Sequence, residues 1–393
     1  MATFLTFEPL DVWMFRGNRL FGGGVHGMGL MPPWPSVVTG AVVSRALADN
    51  NRLGDVTRRP DQALNILQQC LGEDFGLTHL GLLKQERIWF PTPADLVVME
   101  ADGGGLEAKA LEAKPKPSNG ACCSAAFPYL CILPVSERKK PVGNIWIDLD
   151  GLKAHLAETP VSSDHLMPAG CFWQNDPRLG IAIGTSSRTV EEGAIYTTDA
   201  VSLNAGVWLI AGFSGRNVPS NGLVRLGGDG RGARIQKLSQ SDHDAMATFG
   251  QPQAGWKGFR MILATAGLFP DGVMPPVVKK DHILELDGLT AELVAASVPQ
   301  PGVVSGWDIA KHQPKPAHRI AAAGSCYWFR VISGDTEKLK PLWEKGLWEA
   351  IASDHPLMER RHEGWNRVWF GQWNPSDGTS PTMVRSSTED VPA

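Results

Sequence analysis

The stretch from Leu10 to Leu47, LDVWMFRGNRLFGGGVHGMGLMPPWPSVVTGAVVSRAL, organises the N-terminal part of the chain. Its start and the residues just before it favour a β-strand, because β-branched and aromatic residues suit a pleated, half-buried surface. The residues that carry this strand pattern are Phe4, Leu5, Phe7, Val12, Trp13 and Phe15. Its end favours an α-helix, with Ser36 as the N-cap. The apolar positions of that helix include Val38, Ala41, Val42 and Leu47.

A basic, glycine-rich loop connects this strand to this helix. Arg16 and Arg19 bracket the start of the loop, and His26 lies among glycines that leave the backbone uncovered. Bare peptide N–H groups beside guanidinium groups allow a phosphodiester backbone to approach closely. The loop is therefore a candidate RNA-binding segment, with Arg16, Arg19 and His26 as its candidate residues.

The segment Gly22–Gly27 also matches the dinucleotide-binding pattern GxGxxG, but the match is not specific. In a chain with 43 glycines among 393 residues, this spacing arises readily by chance. The pattern also requires a helix directly after it, so that the phosphates meet the helix N-terminus. Pro32, Pro33 and Pro35 intervene here, and this argues against a Rossmann site.

The composition is that of a globular protein with many loops. Hydrophobic residues make up 43% of the chain and charged residues 20%, and the net charge is −4. The length predicts about two to three domains, and the 43 glycines and 29 prolines indicate many turns. Because no global positive charge attracts nucleic acid, an RNA site must be a local basic patch.

The six cysteines give no indication of a metal site. None forms a CxxC pair, and the adjacent Cys122 and Cys123 are poorly placed to bind one tetrahedral ion. No signal peptide precedes Phe4, and no apolar run approaches the length that spans a bilayer. We therefore expect a cytoplasmic protein with reduced thiols, no metal or other cofactor, and no membrane contact.

The order of strand and helix patterns predicts an α+β protein of two halves. The first half reads strand, helix, strand, strand, and the second is rich in strands with a late amphipathic helix at 335–351. A boundary is expected near residues 150–176, which gives domains 1–165 and 166–393.

Three local predictions follow from composition and alternation. Residues 194–201 and 206–213 are expected to pair as neighbouring strands, and residues 223–226 and 233–238 to flank a second glycine-rich loop. Residues 102–121 are low in large apolar side chains and are expected to form a mobile excursion.

The second glycine-rich loop carries more arginine than the first. Between residues 214 and 238 a single acid, Asp229, accompanies five basic residues: Arg216, Arg225, Arg231, Arg234 and Lys237. A hairpin tip of this kind suits contact with a nucleic-acid backbone. The alternative is a solvent-exposed hairpin whose arginines contact no RNA. Arg231 and Arg234 are its candidate RNA-binding residues.

Two further segments add candidate basic residues. Arg178 and Arg188 bracket a stretch of small residues that admits a close backbone, although each arginine alone is more typical of an ion-paired surface residue. Lys311 belongs to a third basic loop, between Trp307 and Tyr327.

Fourteen tryptophans are many for this length, and seven lie in the last quarter. Exposed aromatic rings beside basic loops stack on unpaired bases, at about 1–3 kcal/mol per base. A buried core is the more typical role for most of them, and Trp328, inside a strand pattern, is assigned to the core or an interface.

A series of motifs in order along the chain resembles a known family. The series consists of Asp11–Arg16 (DVWMFR), Pro32–Ser36 (PPWPS) with Gly40, Phe90–Leu96 (FPTPADL), Asp176–Ile181 (DPRLGI), Arg188–Tyr196, Leu226–Arg231 (LGGDGR), Ser305–Asp308 (SGWD) before Lys315 and Pro316, and Ala323–Phe329 (AGSCYWF). In this series the chain resembles the family of the third subunit of the Cmr module, the type III-B CRISPR RNA-guided effector complex, within the RAMP superfamily. The resemblance covers nearly the whole chain.

This resemblance implies a fold and a function. The fold would be two ferredoxin-like (RRM-related) domains with long inserted loops. The function would be that of a non-catalytic subunit in antiviral defence. Such a subunit binds the repeat-derived 5′ handle of the guide RNA (crRNA), docks the large polymerase-cyclase subunit and abuts the backbone RAMP subunit.

Two alternatives remain open at the level of sequence. The first is a metal-independent RAMP endoribonuclease that processes repeat RNA, with His26 as the general base and Arg16 and Arg19 assisting. A histidine in a loop is, however, more typical of a surface residue. The second alternative is a structural adaptor that makes no RNA contact.

Overall fold

The structure, a computed structural model, describes residues 2–17, 26–27, 29–117, 126–135, 139–184, 186 and 188–375. It is a mixed α/β protein whose sheets are mainly antiparallel, which confirms the predicted class at that level. The strands in these residues are β1 Thr3–Pro9, β2 His26–Gly27, β3 Gly76–Lys84, β4 Arg87–Pro91, β5 Leu96–Glu100, β6 Leu106–Ala110, β7 Glu112–Pro115, β8 Tyr129–Ile132, β9 Ile145–Asp148, β10 Leu166–Pro168, β11 Trp173–Ile183, β12 Val190–Leu203, β13 Val207–Ser214, β14 Gly222–Arg225, β15 Gly232–Lys237, β16 Gly258–Leu263, β17 Ile283–Leu286, β18 Leu289–Ser297, β19 Gly302–Val304, β20 Trp307–Asp308, β21 Gln313–Pro314, β22 His318–Ile320, β23 Cys326–Gly334 and β24 Val368–Trp373.

The helices are few and short. The α-helices are α1 Pro35–Asp49, α2 Leu53–Arg58, α3 Ala63–Leu71, α4 Leu149–Leu156, α5 Gln240–Ala247 and α6 Lys340–Lys345. The 3₁₀ helices are Pro60–Gln62, Ser163–His165, Ala169–Cys171, Thr336–Leu339, Leu347–Ala350 and Pro356–Glu363. Among the described segments, no helix has both the length and the apolar character needed to cross a bilayer. The predicted first helix is confirmed, but its N-cap is Trp34 rather than Ser36, because proline occupies its first position.

The first sheet has eight strands in the order β10-β9-β4-β3-β13-β1-β15-β14. Side chains alternate between its faces, as the period of two requires. Leu5 and Phe7 of β1 are buried on one face in a core shared with Val38 and Val42 of α1. Phe4, on the opposite face of the same strand, belongs to a second core.

The second sheet has five antiparallel strands in the order β17-β18-β23-β16-β24. One of its faces contributes to the second core, where Ile262, Trp328 and Trp369 meet Phe4 and Phe90 of the first sheet. The two sheets are therefore joined by a common apolar layer. Trp328, Trp348, Trp365, Trp369 and Trp373 are all buried, which confirms the core assignment of most C-terminal tryptophans.

The predicted pairing of residues 194–201 with 206–213 is wrong. The first segment belongs to β12, which forms a long hairpin with β11, and β2 adds to β12 as a short parallel strand. The second segment belongs to β13, which pairs with β1 and β3 in the first sheet. Alternating apolar residues favour a strand but do not specify its partner. The turn between β12 and β13 leads from one sheet to another.

The expectation of a mobile excursion at 102–121 is also wrong over its described part. Strands β5 and β6 form a hairpin, and β7 pairs with β8. Ala113 is buried, and Leu106, Ala108 and Leu111 pack against the second core. Few and small apolar residues suffice here because they fill positions beside a core that other segments supply. Residues 118–121 lie outside the described part.

The late helix predicted at 335–351 is present only in pieces. A 3₁₀ turn, helix α6 and a second 3₁₀ turn replace one continuous helix. The interruption is at Gly346, whose φ of 77° is left-handed and whose position leaves no room for a side chain beside the Asn366 carbonyl oxygen.

The predicted boundary between domains 1–165 and 166–393 stays a prediction. The change from strands of the first sheet to strands of the second does not lie at residue 165. Strands of the first sheet extend from residue 3 to residue 237, and strands of the second from residue 258 to residue 373.

Candidate nucleic-acid interface

The start of the first glycine-rich loop lies beside the second loop, although more than 200 residues separate them. Strands β1 and β15 are neighbours, and the Leu10 amide donates to the Gly232 carbonyl oxygen at 3.1 Å. The Gly228 amide donates to the Met14 carbonyl oxygen at 2.8 Å. Gly227 permits this approach, because its φ is 88° and a Cβ there would lie 2.8 Å from the Met14 oxygen. The contact brings Arg16, Arg231 and Arg234 onto one surface, which we call the arginine surface.

Each arginine of the arginine surface has an acidic neighbour. Arg16 Nη2 lies 3.9 Å from Asp229 Oδ1, and Arg234 Nη1 lies 3.4 Å from Glu8 Oε2. Arg231 pairs with Asp11 through Nη1, while its Nε is buried and has no hydrogen-bond partner in the described part of the chain.

These pairs leave the arginine surface close to electrically neutral, which sequence counting did not anticipate. Except for Arg231, the paired side chains are largely exposed. Exposed ion pairs contribute little to stability, so another anion can replace the carboxylate at small cost. A phosphate is well suited to do so, because it accepts two parallel hydrogen bonds from one guanidinium.

The β11–β12 hairpin carries Arg178 and Arg188 next to the first loop. Arg178 is in register with Thr198, which is in register with Gly27, so these residues lie in one row across three strands. Both Arg178 Nε and Nη2 donate to Asp176 Oδ2, at 3.1 and 2.9 Å. Arg188 is exposed near the hairpin tip with a left-handed φ of 53°. The ion pair of Arg178 agrees with the alternative of a paired surface residue.

The remaining candidates do not join this group by any described contact. His26 has its backbone in β2, beside Thr197, and its side chain lies outside the described part, as does the whole of Arg19. Lys311 lies in the β20–β21 hairpin, where Nζ pairs with Glu359 Oε2 at 3.1 Å. Its partner belongs to the 3₁₀ helix Pro356–Glu363 rather than to either glycine-rich loop.

A buried charged cluster joins the two sheets, and sequence reasoning missed it. Asp95 follows β4, His155 lies in α4 and Arg260 lies in β16, with exposed fractions of 0%, 2% and 4%. Arg260 Nη1 donates to Asp95 Oδ2 at 2.7 Å, and Nη2 donates to the His155 carbonyl oxygen. His155 Nε2 lies 2.9 Å from Asp95 Oδ1. The sequence contained one indication, a single arginine inside the otherwise apolar strand GFRMIL.

Asp95 stays ionised in spite of its burial. Burial by itself would raise the pKa of Asp95, but His155 and Arg260 together hold that pKa well below its usual value through their charges and hydrogen bonds. Arg260 Nε also donates to the Gln372 carbonyl oxygen at 3.2 Å. These bonds connect α4 and the segment after β4 to the second sheet, so the cluster positions the second sheet against the first. Among the described residues, the cluster has no direct contact with the arginine surface.

The sequence profile and the similar solved structures point to the same family. The sequence profile described as CRISPR-associated protein (Cas_Cmr3) matches residues 5–373. No curated protein matches the chain. A chain in the cryo-EM structure of the type III-B Cmr-beta bound to cognate target RNA and AMPPnP, state 1, is similar at a TM-score of 0.53 and 15% identity, over 93% of this chain and 95% of that one. A chain in the structure of Cmr-beta bound to cognate target RNA gives a TM-score of 0.50 at 14% identity, over 93% of this chain and 96% of that one.

Proposed function

This chain belongs to the Cas_Cmr3 family of CRISPR-associated proteins, a family of the type III-B Cmr effector complex, and from that premise we propose that it is a non-catalytic subunit that binds the 5′ handle of the guide RNA. The observation that carries the proposal is the arginine surface. The start of the first glycine-rich loop and the second loop lie together there, at one end of the neighbouring strands β1 and β15, and Arg16 and Arg234 form exposed ion pairs that a phosphate could replace.

The expected mode of recognition is contact with phosphates rather than with bases. Arginines on exposed loops fix the position of an RNA strand and carry little sequence information. Arg178, in the row of Gly27, extends the same surface along the β11–β12 hairpin. Lys311 would contact a different part of the RNA or a protein neighbour.

Docking to the large polymerase-cyclase subunit and to the backbone RAMP subunit is the second part of the proposal. Its support is a group of exposed apolar residues towards the end of the β11–β12 hairpin: Leu179, Ile181, Ile183 and Val190. Apolar residues that cluster on a surface favour a protein partner. Leu179, with an exposed fraction of 71%, has the most surface to bury in such a contact.

We also propose that the two sheets are ferredoxin-like, RRM-related domains with long insertions. Four neighbouring strands of the first sheet lie in the order β15-β1-β13-β3, which is 4-1-3-2 when these four are numbered along the chain. Four neighbouring strands of the second sheet, β24-β16-β23-β18, give the same order. This antiparallel order is that of the ferredoxin-like fold. The predicted limits of 1–165 and 166–393 remain a prediction, and this assignment favours a division between residues 237 and 258.

The RNA contact is tested by the salt dependence of guide-RNA binding by the reconstituted complex. Each phosphate contact on a single strand contributes about 0.7 to the slope of log affinity against log salt. We expect Arg231→Ala with Arg234→Ala to lower that slope by about 1 to 1.5, and Arg16→Ala to lower it by about 0.7.

The control is Arg58→Ala with Arg59→Ala, which removes two exposed charges around the end of α2, a segment that belongs to neither loop. It should leave the slope unchanged. If the arginine-surface variants keep the wild-type slope and affinity, these loops do not bind the RNA, and the structural adaptor becomes the better account.

The proposal that the chain is non-catalytic is tested separately. We expect the purified chain to cleave no repeat RNA, with or without divalent metal, because the sequence shows no motif of paired catalytic carboxylates and no group of three or more His, Cys, Asp or Glu side chains among the described residues could hold a metal ion. The measurement is cleavage of a labelled repeat RNA by the wild type and by His26→Ala. Cleavage by the wild type that His26→Ala abolishes would establish the endoribonuclease instead.

A further inference from the structure

A cavity of about 800 Å³ opens between the two sheets, away from the arginine surface. It is bounded by the start of β3, by helix α5 and by the segment between residues 343 and 369. Its volume lies within the range of small-molecule sites, about 300–1,000 Å³. Arg16, Arg231 and Arg234 do not line it, so its role is separate from the RNA contact.

One wall of the cavity holds a buried histidine with an unused ring nitrogen. His79 of β3 has an exposed fraction of 6%, and its Nδ1 lies 3.1 Å from Thr78 Oγ1. Its Nε2 has no hydrogen-bond partner among the described residues. Burial, with the charge of Arg367 adding to it, lowers the pKa of His79 to about 3. The ring is therefore neutral at neutral pH and offers Nε2 to a ligand as a donor or an acceptor, depending on the tautomer.

The same cavity contains an arginine without an acidic partner. Arg367 Nη2 donates to the carbonyl oxygens of Trp343 and Glu344, at 3.0 and 2.8 Å. Within the described part of the chain, no carboxylate forms a salt bridge with Arg367. Burial lowers the pKa of Arg367 to about 10, so the group remains charged at neutral pH. A guanidinium bonded only to neutral carbonyls can still pair with a carboxylate or a phosphate.

The walls restrict the kind of anion. Aromatic side chains line the interior: Phe4, Phe75, Trp343, Trp348, Trp365 and Trp369. Charged residues of both signs also line the cavity: the acids Glu73, Asp74, Asp244 and Glu344, and the basic residues Lys345 and Arg361. The aromatic interior favours a compact ring.

We propose that this cavity binds a small aromatic anion. Its acidic group would meet Arg367, its ring would lie against the aromatic wall, and His79 Nε2 would complete a hydrogen bond to it. The acidic group could be a phosphate or a carboxylate, since both accept the paired donors of a guanidinium.

The test is calorimetric titration of the full-length chain with four probes. AMP carries a ring and a phosphate, indole-3-acetate a ring and a carboxylate, adenosine the ring of AMP without charge, and inorganic phosphate the charge alone. We expect at least one of the two aromatic anions to bind with a Kd below about 1 mM, and adenosine and phosphate to bind at least about tenfold more weakly. The preference between AMP and indole-3-acetate identifies the acidic group.

Two variants locate the binding. His79→Leu removes the unused ring nitrogen without removing charge, and Ala247→Trp fills the mouth from the exposed last residue of α5. Each should weaken binding by about tenfold or more. Thr248→Trp places the same side chain one residue further on, at an exposed position outside the cavity lining, and should bind as the wild type does.

Any of three results would overturn the proposal. The first is that neither aromatic anion binds at about 1 mM. The second is that adenosine binds as tightly as the anions. The third is an unchanged affinity in Ala247→Trp, which applies even if His79→Leu fails to fold.

Discussion

Replacing Arg260 with methionine is expected to lower the free energy of unfolding by about 3–5 kcal/mol. The substitution removes the guanidinium that pairs with Asp95, and it leaves that carboxylate fully buried beside His155 alone. An uncompensated buried charge costs far more than the lost packing of one side chain. The measurement is urea unfolding of the full-length chain, followed by tryptophan fluorescence.

The matched control is Arg330→Met on the neighbouring strand β23. Arg330 pairs with Glu292, but both side chains are about one quarter exposed, so this loss should cost no more than about 1 kcal/mol. Equal losses in the two variants would mean that burial does not determine how much the Asp95 cluster contributes to the free energy of unfolding. Asp95→Leu combined with Arg260→Met should recover part of the loss, because an apolar pair leaves no buried charge.

Deleting residues 106–115 is expected to destabilise the protein by about 3 kcal/mol or more. The deletion removes β6 and β7, and with them Ala113 and the packing of Leu106, Ala108 and Leu111 on the core between the two sheets. It also removes the Leu111 amide, which donates to the Asp95 carbonyl oxygen at 2.7 Å. Thermal and urea unfolding measure the loss.

A shorter deletion in the same hairpin separates packing from chain length. Gly103 and Gly104 lie at the exposed tip between β5 and β6, where nothing approaches within 4 Å of a Cβ placed on either glycine. Their removal should change stability by less than about 0.5 kcal/mol. If the removal of residues 106–115 is tolerated equally well, the strands add nothing to the core, and the excursion expected from composition is the better description.

The candidate interface was found in part from sequence. Arginine and glycine in one segment identify a loop that can approach a phosphate, and that information is local. Whether Arg231 is free or paired is not local, because its partner Asp11 is 220 residues away. Sequence counting therefore predicted a positive patch, whereas the folded surface is a set of ion pairs that a phosphate would have to open.

The sequence by itself determined the family, the α+β class, the strand character of most segments and the burial of the C-terminal tryptophans. These properties depend on residue type, on alternation and on the order of short motifs. Only the tertiary structure decided that β12 and β13 lie in different sheets, that the second glycine-rich loop lies beside the start of the first, and that Arg260 is buried against Asp95. A periodic pattern shows which face of a strand is apolar, but the choice of partner depends on the packing of segments that lie far apart along the chain.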